Sequence, residues 1–371
     1  MTTRILAACS PGEVRVAALR DGALLDYAIG RPGAPGLVGD LYRGRVTARV
    51  PAMAGAFVAL PGADGFLPDS EGGDRVTEGE VLAVRVTRAP QGGKGPRLSA
   101  KLTAEDGALA GAGPPALLRR GPGAVERLAV LHPDAAVRID DHAALAELRP
   151  RLGDRITWTG AAFDDDVATQ VEALANADLD LPDGSRLRIH PTPALVAIDI
   201  DAGAATGERR GKTAAQSALN RAVLPALARQ IRLRNLSGAI LVDFAGLSPR
   251  RRAALGPALA TLLAEDPLRP RLLGFTALAL AEIVRPRIHP PLHELLSGPH
   301  AAGLAALRSI ARGLAADPGR PLPALHAAPA VVAALQADPL ALPDLARLAG
   351  RTLMLRSDPR LSGTEWMIAH D

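Results

Sequence analysis

Residues 194 to 244 carry the clearest strand–loop–helix–strand pattern in the chain. It opens with ALVAIDID (194–201), continues through the glycine-rich AGAATGERRGK (202–212) into a run of helix-forming residues, and closes with LSGAILVDF (236–244). The first segment alternates with the period of a β-strand. Val196, Ile198 and Ile200 share one face, and Leu195, Ala197, Asp199 and Asp201 share the other. The spacing predicts a helix from about 213 to 235, followed by a second apolar strand that ends on Asp243. If the two strands are parallel neighbours joined by that helix, Asp199 and Asp243 face the same crevice, where open α/β sheets place their ligands. Carboxylates are costly to bury unless they are paired, hydrated or bound to a metal. Convergent carboxylates suit Mg²⁺, a hard cation that takes oxygen ligands and keeps several waters. A lone strand-end Asp more often caps a helix or forms an ion pair, and it is convergence of the aspartates that favours a metal.

Downstream, a helix is expected at 249–265, a strand at RLLGFTA (271–277) and a helix at ALAEIVR (279–285). Upstream, AVERLAVL and HAALAELRPRL read as helices and AVRID as a strand. DDVATQVEALANA reads as a helix that precedes a hairpin-like DLDLPDGSRLRIH. Residues 104–120, rich in Ala, Gly and Pro, read as a connector. Before them, five short runs between 36 and 103, broken by Gly/Pro turns, predict a small barrel such as an OB fold. Residues 4–30 hold two or three further strands. Beyond 295 a helix near 303–315 and strands at RTLMLRS and EWMIAH indicate a small α+β unit.

Composition narrows the classes. The 371 residues suffice for more than one domain, and 48% apolar content supports buried cores. Three of the 43 basic residues are lysine (Lys94, Lys101, Lys212) and the rest are arginine. That bias fits a GC-rich genome, and it also suits phosphate recognition by the planar guanidinium fork. Cys9 is the only cysteine, which excludes an internal disulfide and any zinc site needing two cysteines from this chain. No signal peptide and no run of about 18 uncharged apolar residues occurs, so a cytoplasmic protein without a membrane partner is expected.

Two other readings compete. GERRGKT (207–213) nearly matches a phosphate-cradling P-loop and ILVDF resembles the strand that holds its magnesium, which would make the chain a nucleotide hydrolase. Gly207 and Gly211 are, however, one residue too close together. His289 and His293 have the spacing of a helical zinc pair, but Pro290 and Pro291 break the helix that would align them. In the barrel segment, Phe57 and Phe66 amid Arg43, Arg45, Arg49, Lys94, Arg97 and Lys101 could form a base-stacking platform or could fill the barrel core.

Taken together, LYRGRVTARVPAMAGAFVALPGADGFLP (41–68), ALVAIDIDAGAATG (194–207), ALNRAVLPALARQIRLRNLSGAILVDFAGL (218–247) and LALAEIVRPRIHPPL (278–292) resemble the ribonuclease E/G family. The resemblance implies an α+β and α/β multidomain chain. An RNase H-like subdomain (1–35 and 104–187) would be interrupted by an S1-type OB fold (36–103). A DNase I-like catalytic subdomain (188–295) and a small C-terminal domain (296–371) would follow. It implies a Mg²⁺-dependent, Mn²⁺-tolerant endonuclease acting on single-stranded RNA and leaving 5′-phosphate and 3′-hydroxyl ends. A catalytically inactive RNA-binding protein of the same fold is the alternative. Asp199 and Asp243 match the family's metal-binding aspartates, and Asp201, counted with them as catalytic, stands where the family usually has Asn. Phe57, Phe66 and Lys94 match RNA-contacting positions, with Arg43, Arg285 and Arg287 as further expected RNA contacts. The family's paired-cysteine zinc link between protomers is missing at LLSGPHAAG (295–303), so neither structural zinc nor a zinc-linked dimer is expected and the oligomeric state stays open. The connector offers no counterpart to the family's 5′-monophosphate sensor.

Overall fold

The computed structural model describes residues 2–201, 212–244, 246–317 and 319–369. The glycine-rich loop at 202–211, on which the phosphate-cradle alternative rests, lies outside the described residues.

Strands β1 (Thr3–Ser10), β2 (Glu13–Arg20) and β3 (Ala23–Gly30) pair in antiparallel order. The chain then enters a closed five-stranded, OB-like barrel. Its strands are β4 (Leu41–Val50), β5 (Gly55–Leu60), β6 (Ala63–Pro68), β7 (Val81–Arg88) and β8 (Arg97–Ser99), and pairing of β4 with β5 closes it. Tyr42, Val46, Val58, Leu67, Val84, Val86 and Leu98 fill it. The connector is more ordered than its composition suggests. β9 (Ala116–Arg119) pairs with β4, and Arg43 holds the intervening loop by donating to the carbonyls of Ala110, Ala112 and Pro114. β10 (Ala136–Ile139) and β11 (Ile156–Trp158) then return to the first sheet, giving the order β11-β10-β1-β2-β3. The barrel is therefore an insertion within that sheet's sequence.

The second sheet has six strands in the order β12-β13-β14-β15-β17-β16. They are β12 (Asp178–Asp180), β13 (Arg186–Pro191), β14 (Val196–Asp201), β15 (Gly238–Asp243), β16 (Arg271–Phe275) and β17 (Ala281–Arg285). It begins at β12, upstream of the 187/188 boundary read from the sequence, because β12 and β13 form one hairpin. β14 and β15 are parallel, joined through the helix Lys212–Leu233; the remaining pairs are antiparallel. The helix expected at ALAEIVR is instead β17. Its residues alternate between buried and half-buried, and β17 is inserted between β15 and β16, where strand pairing overrides the helical propensity of Ala and Glu. The helix expected at 249–265 forms two pieces, Pro249–Ala253 and Gly256–Leu263, the second restarting at Gly256-Pro257.

One face of this sheet is the core. Ile189, Ile198, Ile200, Ile240, Val242 and Ile283 pack on Val223, Leu227 and Ile231 of the long helix and on Leu259 and Leu263 of the shorter one. Each such buried aliphatic side chain contributes about 1.5–3 kcal/mol relative to exposure. The opposite face carries the alternate residues, among them both aspartates. Arg232 on the long helix donates to Asp26 through Nε and Nη2, both at 2.5 Å, and His132 meets the same carboxylate at 2.7 Å, tying the two sheets together.

The C-terminal unit comprises the helices Gly298–Ala316, Pro329–Ala337 and Ala341–Ala349 and a sheet of β18 (Ala324–Ala327), β19 (Leu355–Ser357) and β20 (Trp366–Ala369). It seats against the β1–β2 turn. Arg308 and Arg31 clasp buried Glu13, and Asp344 accepts from the Gly12 amide at 3.1 Å. Gly12 has φ +74, and a Cβ there would lie 2.7 Å from Ala341 Cβ, so only glycine serves both the turn and the contact. No described helix is long and apolar enough to cross a membrane.

Candidate functional site

The parallel pairing of β14 and β15 puts Val196 opposite Ile240 and Ile198 opposite Val242, and it makes Asp199 and Asp243 direct register partners. Neighbouring strands lie about 4.8 Å apart, so the two carboxylates stand side by side on the open face. The side chains of both are 49% exposed, which leaves them accessible to a ligand.

Arginines flank the pair. On one side, β13 brings Arg188 opposite Asp199, and its Nη1 lies 3.5 Å from Asp199 Oδ2 while its Nη2 donates to Asp201 Oδ2 at 2.9 Å. On the other, Arg252 of the Pro249–Ala253 helix donates from Nη1 to Asp243 Oδ1 at 2.5 Å and from Nε to the Leu247 carbonyl at 3.0 Å. The result is a row of charges, Arg188–Asp199–Asp243–Arg252, in which two like charges are held together by a cation at each end. Asp199 Oδ1 and Asp243 Oδ2 make no hydrogen bond among the described residues. The donor chemistry fits a hard divalent cation taking one oxygen from each aspartate, with water completing its shell. No group of three or more metal-ligating side chains occurs among the described residues. Asp201 joins the site through Arg188 and does not sit in the Asp199–Asp243 register pair.

The barrel presents a second surface. Phe57 and Phe66 are register partners on β5 and β6, half-buried, with ring centroids 5.6 Å apart in an edge-to-face arrangement. Neither belongs to the barrel core, so both lie on the outer face. Phe66 pairs in register with Arg97, and Arg97 pairs with Arg88. Burial lowers the basicity of Arg88, and the like charges of Arg97 and Arg287 add to the effect, so three guanidiniums converge where the barrel meets the second sheet. The barrel is fixed there by the Ala89 amide donating to the Ile288 carbonyl at 2.9 Å and the Gly92 amide donating to Glu294 at 2.9 Å. Lys94 is exposed at the base of the adjoining turn, bridged to Gln91. Arg88, Lys94, Arg97 and Arg287 enter no ion pair among the described residues. Arg287 is exposed and crosses over Gly238, where a Cβ would collide with its guanidinium.

Two of the expected RNA contacts are engaged within the protein. Arg43 holds the connector loop through three carbonyls, as described above. Arg285 is 4% exposed, its Nε donating to Asp266 Oδ2 at 2.7 Å and its Nη1 to Asn235 Oδ1 at 2.5 Å. β17 alternates, and Arg285 falls on its buried phase while Arg287 lies beyond the strand end. Sequence reading missed Arg188, Arg252 and Arg88. Arg188 had a signal, because the antiparallel RLRIH hairpin places it across from Asp199. Arg252 sits in a run of three arginines that nothing in the sequence ranks.

The family model described as "Ribonuclease E/G family" matches residues 124–288. The chain is 27% identical to Ribonuclease G of Escherichia coli (strain K12) over 403 residues, covering 80% of this chain and 82% of that protein. It is 24% identical over 394 residues to Ribonuclease G of Haemophilus influenzae, covering 77% and 80%. A segment of 120 residues is 37% identical to Ribonuclease E of Nostoc sp., covering 32% of this chain and 17% of that protein.

Proposed function

We propose, from the premise that this chain belongs to the ribonuclease E/G family, that it is an endoribonuclease cutting single-stranded RNA at Asp199 and Asp243. The observation that carries the reading is the register pairing of these two half-exposed aspartates on an open sheet face. The first sheet and its helices correspond in this reading to the RNase H-like subdomain, and the second sheet to the DNase I-like catalytic one.

Asp199 and Asp243 would hold Mg²⁺, or Mn²⁺ in its place, each through the oxygen that its arginine leaves free. When bound, such an ion supplies an activated water and neutralises charge on the phosphodiester, and hydrolysis would leave 5′-phosphate and 3′-hydroxyl ends. Arg188 and Arg252 fix the orientation of the two carboxylates and limit their mutual repulsion. Arg250 and Arg251, both exposed beside Arg252, offer cations to the RNA backbone. Phe57 and Phe66 stack bases upstream, while Arg97, Arg88 and Arg287 lead phosphates from the barrel towards the sheet.

The test is cleavage of a labelled single-stranded RNA with and without Mg²⁺ by the full chain, by Asp199→Asn and by Asp243→Asn. Metal-dependent cutting by the parent that both variants lose, with RNA binding retained, supports the proposal. Normal cutting by both variants overturns the site. A parent that binds RNA but never cuts it with either metal overturns the enzymatic reading.

A further inference from the structure

The seam between the first sheet and the C-terminal unit gathers cations that the proposed RNA path does not use. In the β2–β3 pairing Ala17 is in register with Tyr27, and Arg15 with Ile29. Arg15 and Tyr27 are therefore diagonal neighbours on one face of the sheet, within reach of each other's long side chains. Glu13, two residues before Arg15 on that face, is buried and has both carboxylate oxygens engaged. Arg31 donates from Nη2 to its Oε2 at 3.0 Å, and Arg308 of the helix Gly298–Ala316 donates from Nη1 to its Oε1 at 2.8 Å. Arg312 follows Arg308 by one helical turn, the spacing that puts two side chains on the same helix face, and it is exposed. The guanidinium of Arg15 packs over the Phe163 ring, 5.3 Å from its centroid. Neither Arg15 nor Arg312 enters an ion pair among the described residues. The Nε of Arg15 is buried, but its two terminal nitrogens, the Nη2 of Arg308 and the Tyr27 hydroxyl are not, and none of these four makes a hydrogen bond among the described residues.

Four guanidiniums, those of Arg15, Arg31, Arg308 and Arg312, thus gather round the single carboxylate of Glu13. Burial lowers the basicity of Arg308, and the like charges of Arg15 and Arg312 add to the effect, as expected where cations are held together without enough anions. Burial also keeps the Tyr27 hydroxyl above the usual phenol range, so it stays protonated and can donate. A carboxylate ligand would offset only one of the excess charges. A phosphate dianion offsets two, and its tetrahedral oxygens can accept from forked guanidiniums and a hydroxyl at once. We propose that this seam is a binding site for a phosphate dianion, free or as the end group of a monoester, held by Arg15, Arg308 and Arg312 with the Tyr27 hydroxyl donating to it. A phosphomonoester carries close to two charges at neutral pH, its second pKa being about 6, whereas each phosphate within an RNA chain carries one. The charge excess therefore favours the monoester over the chain interior. The site is independent of the cleavage reading, since it shares no residue with the aspartates or with the barrel platform.

The experiment is calorimetric titration of the full chain, at neutral pH and fixed ionic strength, with inorganic phosphate, adenosine 5′-monophosphate, adenosine and sodium acetate. Saturable binding of phosphate or the nucleotide, at least ten-fold tighter than acetate, is expected, with no binding of adenosine. A nucleotide affinity within ten-fold of that of phosphate supports a site for free phosphate, and a still tighter nucleotide supports a monoester site. Acetate binding as tightly as phosphate would overturn the dianion, adenosine binding as tightly as its monophosphate would overturn phosphate recognition, and no binding of phosphate or nucleotide would overturn the site. Arg15→Gln should weaken binding at least ten-fold, while Arg287→Gln, on the proposed RNA path, should leave it unchanged. The reverse pattern would put the anion on the RNA path and refute the seam. Because Arg15 packs on Phe163 and its variant can lose stability, Tyr27→Phe and Arg312→Gln are the second arm. Neither removes a hydrogen bond or ion pair among the described residues, and each should weaken binding at least three-fold. Unchanged affinity in both folded proteins would refute the location.

Discussion

Asp199 and Asp243 are in-register partners on adjacent parallel strands, so each carboxylate has the other beside it across one strand junction. Arg188 and Arg252 bracket them, and that bracket makes the pair compatible with a folded sheet in the absence of metal. Asp199→Asn or Asp243→Asn should therefore cost little stability while reducing metal-dependent RNA cleavage at least 100-fold. Melting temperature and single-turnover cleavage, measured on the same preparations, check both halves.

Asp201 shares Arg188 with Asp199, at 2.9 Å against 3.5 Å. Asp201→Asn removes the stronger competitor for that guanidinium, which then draws closer to Asp199 and opposes metal binding there. Cleavage at saturating Mg²⁺ should stay within about three-fold of the parent, while the Mg²⁺ concentration for half-maximal rate rises several-fold. A titration of rate against Mg²⁺ decides it.

Phe57 and Phe66 lie outside the barrel core. Truncating either to Ala should weaken single-stranded RNA binding by about 1–3 kcal/mol per stacked base, with little change in the urea midpoint. Filter binding and urea unfolding together separate a platform from a structural pair.

Arg285 and Asp266 are 4% and 5% exposed and hydrogen-bonded to each other. Asp266→Ala leaves the guanidinium buried without its counter-charge, and a loss of about 3–5 kcal/mol is expected. RNA affinity of the remaining folded protein should not change. A selective loss of RNA binding without destabilisation would return Arg285 to the RNA-facing set.

Burial, reinforced by the charges of Arg127 and Arg285, lowers His289 from 6.5 to about 3. Between those two values the unfolded chain binds a proton that the folded chain does not, so stability falls as the pH is lowered through this window and is fully present above 6.5. The slope from this group is up to about 1.4 kcal/mol per pH unit. Urea midpoints measured from pH 7 to pH 4 should decline, and His289→Asn should flatten that decline.

Much of the architecture was legible because it rests on local period. The alternation in ALVAIDID and AILVDF identified both strands, their buried faces and the two aspartates at their carboxyl ends. Turn-rich short runs identified the barrel, and the helix between the aspartate strands followed from its composition. Local pattern failed where a neighbour outweighed propensity. ALAEIVR reads as helix in isolation, but the backbone groups of β15 and β16 require a strand between them, and Ala281–Arg285 supplies it. Arg43 and Arg285 carried the right charge for RNA, but which contacts a guanidinium makes depends on the carbonyls and carboxylates that folding brings within reach. Local order along the chain thus settles which residues alternate, where carboxylates end strands and which family the chain resembles. Packing of distant segments sets Asp199 against Asp243 in one register and brings Arg188 and Arg252 to the ends of the row. It also carries Arg308 to Glu13 beside Arg15, because pairing between distant segments is set by how the sheets and helices pack and not by any run of neighbouring residues.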